Sequence, residues 1–107
     1  MGKKSIIFSV DGRLDLRDDV VAYIRGRLKK IHKGTMNNRV FKDGEVNVNF
    51  QDSIRGRRVY LLTSPNTAVN REMLMFAIDA ARRASAKEIV LILPFMPYAW
   101  RMGVLRL

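Results

Sequence analysis

Apolar and polar positions alternate along this chain in a way that sets out its elements. Residues 5–10 are almost continuously apolar and predict a buried strand, closed by the turn pair Asp11-Gly12. Asp18 and Asp19 suit a helix start, and Val20, Val21, Ile24, Leu28 and Ile31 follow at helical spacing, with Gly34 as the stop. A short strand is expected over 38–42. Beyond the Asp43-Gly44 turn, Val46, Val48 and Phe50 alternate with Glu45, Asn47 and Asn49, the period of a half-covered strand. Arg55-Gly56 marks a further turn.

The second half reads as strand, helix, strand. Residues 59–63 form a nearly unbroken apolar run, as in a strand covered on both faces, and Ser64-Pro65-Asn66 breaks it. Asn70 is placed to cap the next helix. Met73, Leu74, Ala77, Ile78, Ala81 and Ala84 lie along one side of it, and Met73, Met75 and Phe76 read as helix and core residues. Arg82, Arg83 and Lys87 fall near its C-terminal end, where cations are favoured. Residues 88–93 form a second buried strand, expected to end at Pro94. The pattern predicts an α/β fold with a mostly parallel sheet and flanking helices, in a single domain over residues 1–107.

Composition narrows the chemistry. Hydrophobic residues make up 48% and charged residues 28%, the balance of a globular chain. Cysteine is absent, which excludes disulfides, thiol catalysis and zinc–thiolate sites. No cleavage site follows the apolar start, and the apolar stretch 89–100 is too short to span a bilayer, so a cytoplasmic location and no membrane contact are expected. The net charge of +10 favours polyanionic partners. It is spread along the chain with one local cluster in residues 25–33, where Arg25, Lys29 and Lys33 would share a stripe of the first helix and offer a nucleic-acid contact. No aromatic residue interleaves that stripe, and a solvated face is the plainer reading. His32 reads as a surface residue.

Five segments, in order, resemble one family. They are Phe41-Lys42-Asp43-Gly44-Glu45, then Gln51-Asp52-Ser53-Ile54-Arg55-Gly56 with the strand that follows, and Ala68-Val69-Asn70. The last two are Ile78-Asp79-Ala80-Ala81-Arg82-Arg83-Ala84-Ser85-Ala86 and Leu93-Pro94-Phe95-Met96-Pro97-Tyr98-Ala99. Together they resemble the amino-terminal part of ribose-phosphate pyrophosphokinases (phosphoribosyl pyrophosphate synthetases). The resemblance implies a phosphoribosyltransferase-like amino-terminal domain and a role in nucleotide biosynthesis. The implied reaction moves a pyrophosphoryl group from ATP to ribose 5-phosphate with magnesium. By the same resemblance, Phe41 would pack on adenine while Asp43 and Glu45 accept hydrogen bonds from its edge and the ribose, in the ATP site of a neighbouring subunit.

Departures from the pattern qualify that implication. Trp100 stands where the family carries a phosphate-binding arginine, and a neutral indole cannot form the charge-assisted fork that arginine gives to phosphate. Arg101, displaced by one position, is the remaining candidate for ATP phosphate. Arg71-Glu72 replaces the usual Asp-Asn. The family's magnesium-binding histidine and ribose-phosphate loop have no counterpart here, so no catalytic or metal-binding residue is assigned and the chain is expected to be truncated and inactive alone. Three roles are open at this point: a truncated or vestigial synthetase domain, a non-catalytic subunit that docks on full-length synthetase or on itself, or a small basic nucleic-acid-binding protein. The residues 104–107 read as a divergent end, or else as a partner contact.

Overall fold

The computed structural model describes residues 5–24, 31–64, 66–95 and 101–107. Among them, β1 (Ser5–Ser9), α1 (Leu14–Ile24), β2 (Ile31–Lys33), β5 (Arg58–Leu62), α2 (Ala68–Arg83), β6 (Glu88–Phe95) and β7 (Arg101–Arg106) form a layered α/β unit. The remaining strands, β3 (Arg39–Val40) and β4 (Val46–Asn47), make a separate antiparallel hairpin. The main sheet runs β2-β1-β5-β6-β7, and every pairing in it is parallel except that of β6 with β7.

Strand alternation divides the core into two layers. Ile6, Phe8, Val59, Leu61, Ile89 and Leu91 face Met73, Leu74, Ala77 and Ala81 of α2 and Val46 of the hairpin. Their neighbours Ile7, Tyr60, Leu62, Val90 and Ile92 face Val20 and Val21 of α1. Because both faces are covered, the central strands read as continuous apolar runs. Each large side chain buried this way contributes roughly 1.5–3 kcal/mol. The alanines at 77 and 81 are fully buried and let α2 sit close to the sheet.

Helix ends are closed by local chemistry. Thr67, with extended backbone, caps α2 and its side chain accepts from the Asn70 N–H at 3.1 Å. Asn70 is therefore not the cap; its side-chain amide instead donates to the Ser64 carbonyl at 3.0 Å, tying the helix start to the end of β5. At the other end, Ala86 N–H donates to the Ala81 carbonyl and Ser85 N–H to the Arg82 carbonyl, both at 3.0 Å. This is the paired bonding of a left-handed helix stop, here built on Ser85 at φ 64° rather than on glycine.

Four further expectations are corrected. The first helix starts at Leu14, so Asp18 and Asp19 lie in its second turn, and its described span ends at Ile24. Ile31 belongs to β2, buried beside β1, and Gly34 lies beyond a strand rather than a helix. Seven-residue spacing from Ile24 satisfies a helical face and a new strand equally well, and the burial of Ile31 against Ile7 decides for the strand. Met75 and Phe76 are 69% and 42% exposed, so only Met73 of that trio is core.

The strand β6 continues through Pro94 to Phe95. Leu107 N–H donates to the Ile89 carbonyl, so antiparallel alternation turns the odd-numbered residues of β6 toward β7 and the even ones toward β5. The missing N–H of Pro94 thus falls on the β5 side, beyond Leu62, where β5 has already ended. The chain end is not a loose tail: residues 101–106 pair with residues 95–90 as β7.

Candidate functional site

The hairpin carries the residues singled out for nucleotide contact. Its strands pair Arg39 with Asn47 and Val40 with Val46, and residues 41–45 cross between them. Phe41 N–H donates to the Glu45 carbonyl at 2.8 Å and Gly44 N–H to the Phe41 carbonyl at 2.9 Å. Gly44 sits at φ +86°, a conformation that a residue with a Cβ resists. Asp43 Oδ1 accepts the Glu45 N–H at 3.0 Å, the local side-chain bond that makes aspartate a turn residue. The loop backbone is thereby fixed by its own bonds, and Val46 anchors it in the core below α2.

The side chains of the loop remain available. Phe41 is 46% exposed, and residues 42–45 are all exposed. One oxygen of Asp43 is engaged in the turn, leaving Oδ2 as an acceptor, and Glu45 makes no ion pair among the described residues. An exposed aromatic ring flanked by two carboxylates can stack on a flat heterocycle and accept from its amino and hydroxyl donors. The structure therefore brings Phe41, Asp43 and Glu45 together on one hairpin tip. Arg101 is elsewhere: it opens β7, paired with Phe95, on the other sheet.

The predicted basic stripe is not a single helix face. Lys33 lies in β2 and pairs with Asp18 of α1 at 3.2 Å. Arg25 and Lys29, like Trp100, lie outside the described residues. The Lys33 ammonium, with Arg17 beside it, holds the Asp18 carboxyl below its ordinary value of 3.8. His32 is exposed, 3.7 Å from Asp52.

A second feature escaped sequence reading. β1 leads through α1 to β2 on one side, while β5 leads through α2 to β6 on the other, so the sheet reverses direction between β1 and β5. Open α/β sheets form a crevice at such a point. Here a cavity of about 200 Å³ is lined by Ser9, Asp11, Met36, Asn38 and Met73 among others. Asp11 Oδ1 accepts from Ser9 Oγ at 3.0 Å and Arg13 N–H at 3.3 Å, and Oδ2 accepts from Ser64 N–H at 3.3 Å. Its carboxylate thus ties the ends of β1 and β5 together, a structural use of the crevice. Thr63 Oγ1, at the end of β5, is buried with no hydrogen-bond partner among the described residues. No group of three or more His, Cys, Asp or Glu side chains that could hold a metal occurs among the described residues. No helix among them is long and apolar enough to cross a membrane.

Comparison with known proteins agrees with this fold. Residues 5–102 match the family model described as the N-terminal domain of ribose phosphate pyrophosphokinase. The chain is 36% identical over 95 residues to the ribose-phosphate pyrophosphokinase of Oceanobacillus iheyensis, an alignment that covers 87% of this chain and 28% of that protein. It is 46% identical over 61 residues to ribose-phosphate pyrophosphokinase 2 of Enterococcus faecalis, covering 55% of this chain and 19% of that protein. The chain therefore spans under a third of the length of these curated relatives. Among solved structures, phosphoribosylpyrophosphate synthetase from Mycobacterium smegmatis superposes with a TM-score of 0.65 at 32% identity, over 91% of this chain and 31% of that one. A hypoxanthine phosphoribosyltransferase from Trypanosoma cruzi superposes with a TM-score of 0.69 at 12% identity, over 92% of this chain and 58% of that one, a likeness of fold alone. With the matched model running through both sheets and the hairpin, the chain belongs to the ribose-phosphate pyrophosphokinase family and carries its N-terminal domain.

Proposed function

We propose that this chain is the nucleotide-contacting part of a ribose-phosphate pyrophosphokinase and is not a complete catalyst. The observation that carries the reading is the hairpin tip, where Phe41, Asp43 and Glu45 are exposed on a backbone fixed by its own hydrogen bonds. Phe41 stacks on the adenine of ATP, Asp43 Oδ2 accepts from its amino group, and Glu45 accepts from the ribose hydroxyls. A tip that stands clear of its own core suits a site completed by another subunit, either a second copy or a full-length synthetase. Arg101 serves as a secondary contact to ATP phosphate. No described residue of this chain is assigned to magnesium or to ribose 5-phosphate. A cytoplasmic setting fits the lack of cysteine.

Transfer of a pyrophosphoryl group depends on positioning and on neutralising phosphate charge. Hairpin contacts to the base supply positioning only. The chain alone therefore releases no AMP from ATP and ribose 5-phosphate, measured by coupled assay with magnesium present. Turnover by the purified chain unaided would overturn the reading.

A further inference from the structure

We propose that Arg39 and Asn47, one cross-strand pair below the hairpin tip, hold the phosphates of the ATP whose adenine stacks on Phe41. The assignment rests on the adenine contact proposed above and extends it to the far end of the ligand.

Strand alternation gives the hairpin two faces. Arg39 pairs with Asn47 and Val40 with Val46. The same register continues at both ends: Phe41 N–H donates to the Glu45 carbonyl, Asn37 N–H donates to the Asn49 carbonyl, and Met36 bridges Phe50. Met36, Val46, Val48 and Phe50 pack on the core. Successive side chains of a strand point to opposite faces, so the odd-numbered residues of this ladder turn outward. Arg39, Phe41, Glu45 and Asn47 are all exposed, as that alternation requires.

The outward face carries its chemistry in a fixed order. Acceptors stand at the tip, where Asp43 and Glu45 flank the Phe41 ring. Donors stand one pair further down. Arg39 makes no ion pair among the described residues. Asn47 Oδ1 accepts from Asn49 Nδ2, so the Asn47 side chain has its amide N–H groups left to donate. A guanidinium directly across from an amide is a pair of donors suited to phosphate oxygens. Same-face neighbours along a strand are about 6.8 Å apart, comparable to the length of a sugar–phosphate unit. A nucleotide laid along this face meets the ring with its base, Glu45 with its ribose and the Arg39–Asn47 pair with its phosphates.

Charge decides the direction and the class of ligand. The reverse orientation would bring the phosphates to the turn, where Lys42 is outnumbered by Asp43 and Glu45. The same carboxylates favour a mononucleotide over a nucleic-acid strand. A strand carries phosphate on both sides of each base, so part of it would meet the acidic tip, whereas ATP carries its phosphates at one end only.

Titration of the isotope-labelled chain with ATP and with adenosine, following the hairpin amides by NMR, is the measurement. ATP is expected to bind at least about tenfold more tightly than adenosine, the scale of a charge-assisted contact. The Asn47 signals are expected to shift with ATP and not with adenosine. Arg39→Ala should lower ATP binding to the level of adenosine and leave adenosine binding unchanged, while Phe41→Ala weakens both. Lys42→Ala removes the same unit of charge from the turn and should keep the preference for ATP. Arg39→Gln is read in place of Arg39→Ala if the latter does not fold. A preference for ATP that survives the loss of Arg39, or that falls equally in Lys42→Ala, assigns the phosphates to the general charge of +10 and overturns the proposal. Equal binding of ATP and adenosine overturns it as well, with the adenine contact left standing. A hairpin that responds to neither ligand overturns both.

Discussion

Gly34 has no room for a side chain: a Cβ there would lie 2.3 Å from Phe8 Cε1. Phe8 is fully buried and meets the Phe50 ring edge-on at 4.7 Å between centroids, so it cannot swing aside freely. Gly34→Ala is expected to destabilise by about 1–3 kcal/mol, the usual penalty of overpacking, in urea unfolding; an unchanged midpoint would show that the ring yields. Asp18 makes a prediction of a different kind. Its carboxyl is held below the ordinary 3.8 by Lys33 and Arg17, so the folded state favours the charged form more than the unfolded state does. Its contribution is fully present above that ordinary value and fades as pH falls through the lower native one. Asp18→Asn should therefore lower the unfolding midpoint slightly near neutrality, with the difference from the parent chain closing in strong acid. A gap that widened on acidification would contradict the assignment. The same pair explains why Lys33 is misplaced by the sequence, because a lysine nine residues after Ile24 gives no sign that it will turn back to the aspartate of α1.

At the scale of elements, legibility followed burial. The run from β5 through α2 to β6 could be read directly, since Val59, Leu61, Ala77, Ala81, Ile89 and Leu91 are all buried and their periods are unmixed. The alternation of Val46, Val48 and Phe50 marked the inward face of the hairpin segment, although only Val46–Asn47 pair as a strand. Ends were harder, because they depend on single hydrogen bonds: Thr67 outcompeted Asn70 as a cap, and Pro94 was tolerated because its neighbour strand had stopped. β7 was unreadable for a related reason. Its partner lies on the preceding strand, and nothing in residues 101–106 alone distinguishes an edge strand from a divergent end. The helix stop at Ser85 makes a test of this level of detail. A non-glycine residue at φ 64° carries a backbone penalty of roughly 1–2 kcal/mol. Ser85 also accepts the Gly56 N–H through its carbonyl at 2.9 Å, a bond that glycine retains. Ser85→Gly is expected to raise stability by about 1 kcal/mol, read as a higher thermal midpoint; a fall would mean that the serine side chain matters more than its backbone.

At the scale of the whole molecule, the chain carries a well-covered α/β layer and an exposed hairpin tip, while its relatives are more than three times as long. The resemblance singles out Phe41, Asp43 and Glu45 as candidates; the structure adds that one hairpin holds all three. The crevice network around Asp11 stayed hidden because its members, Ser9, Asp11 and Ser64, are brought together by pairing of distant strands. Phe41 is half-exposed and lies outside the buried clusters, so Phe41→Ala should leave the unfolding free energy within about 0.5 kcal/mol of the parent while abolishing any contribution to nucleotide contact. The decisive measurement mixes increasing amounts of this chain with a full-length relative whose own hairpin aromatic has been replaced by alanine, and follows AMP release from ATP and ribose 5-phosphate. Partial recovery that rises with added chain, and is absent with Phe41→Ala, is the predicted result. Recovery that is identical with Phe41→Ala, no recovery at any ratio, or turnover by this chain unaided would contradict it.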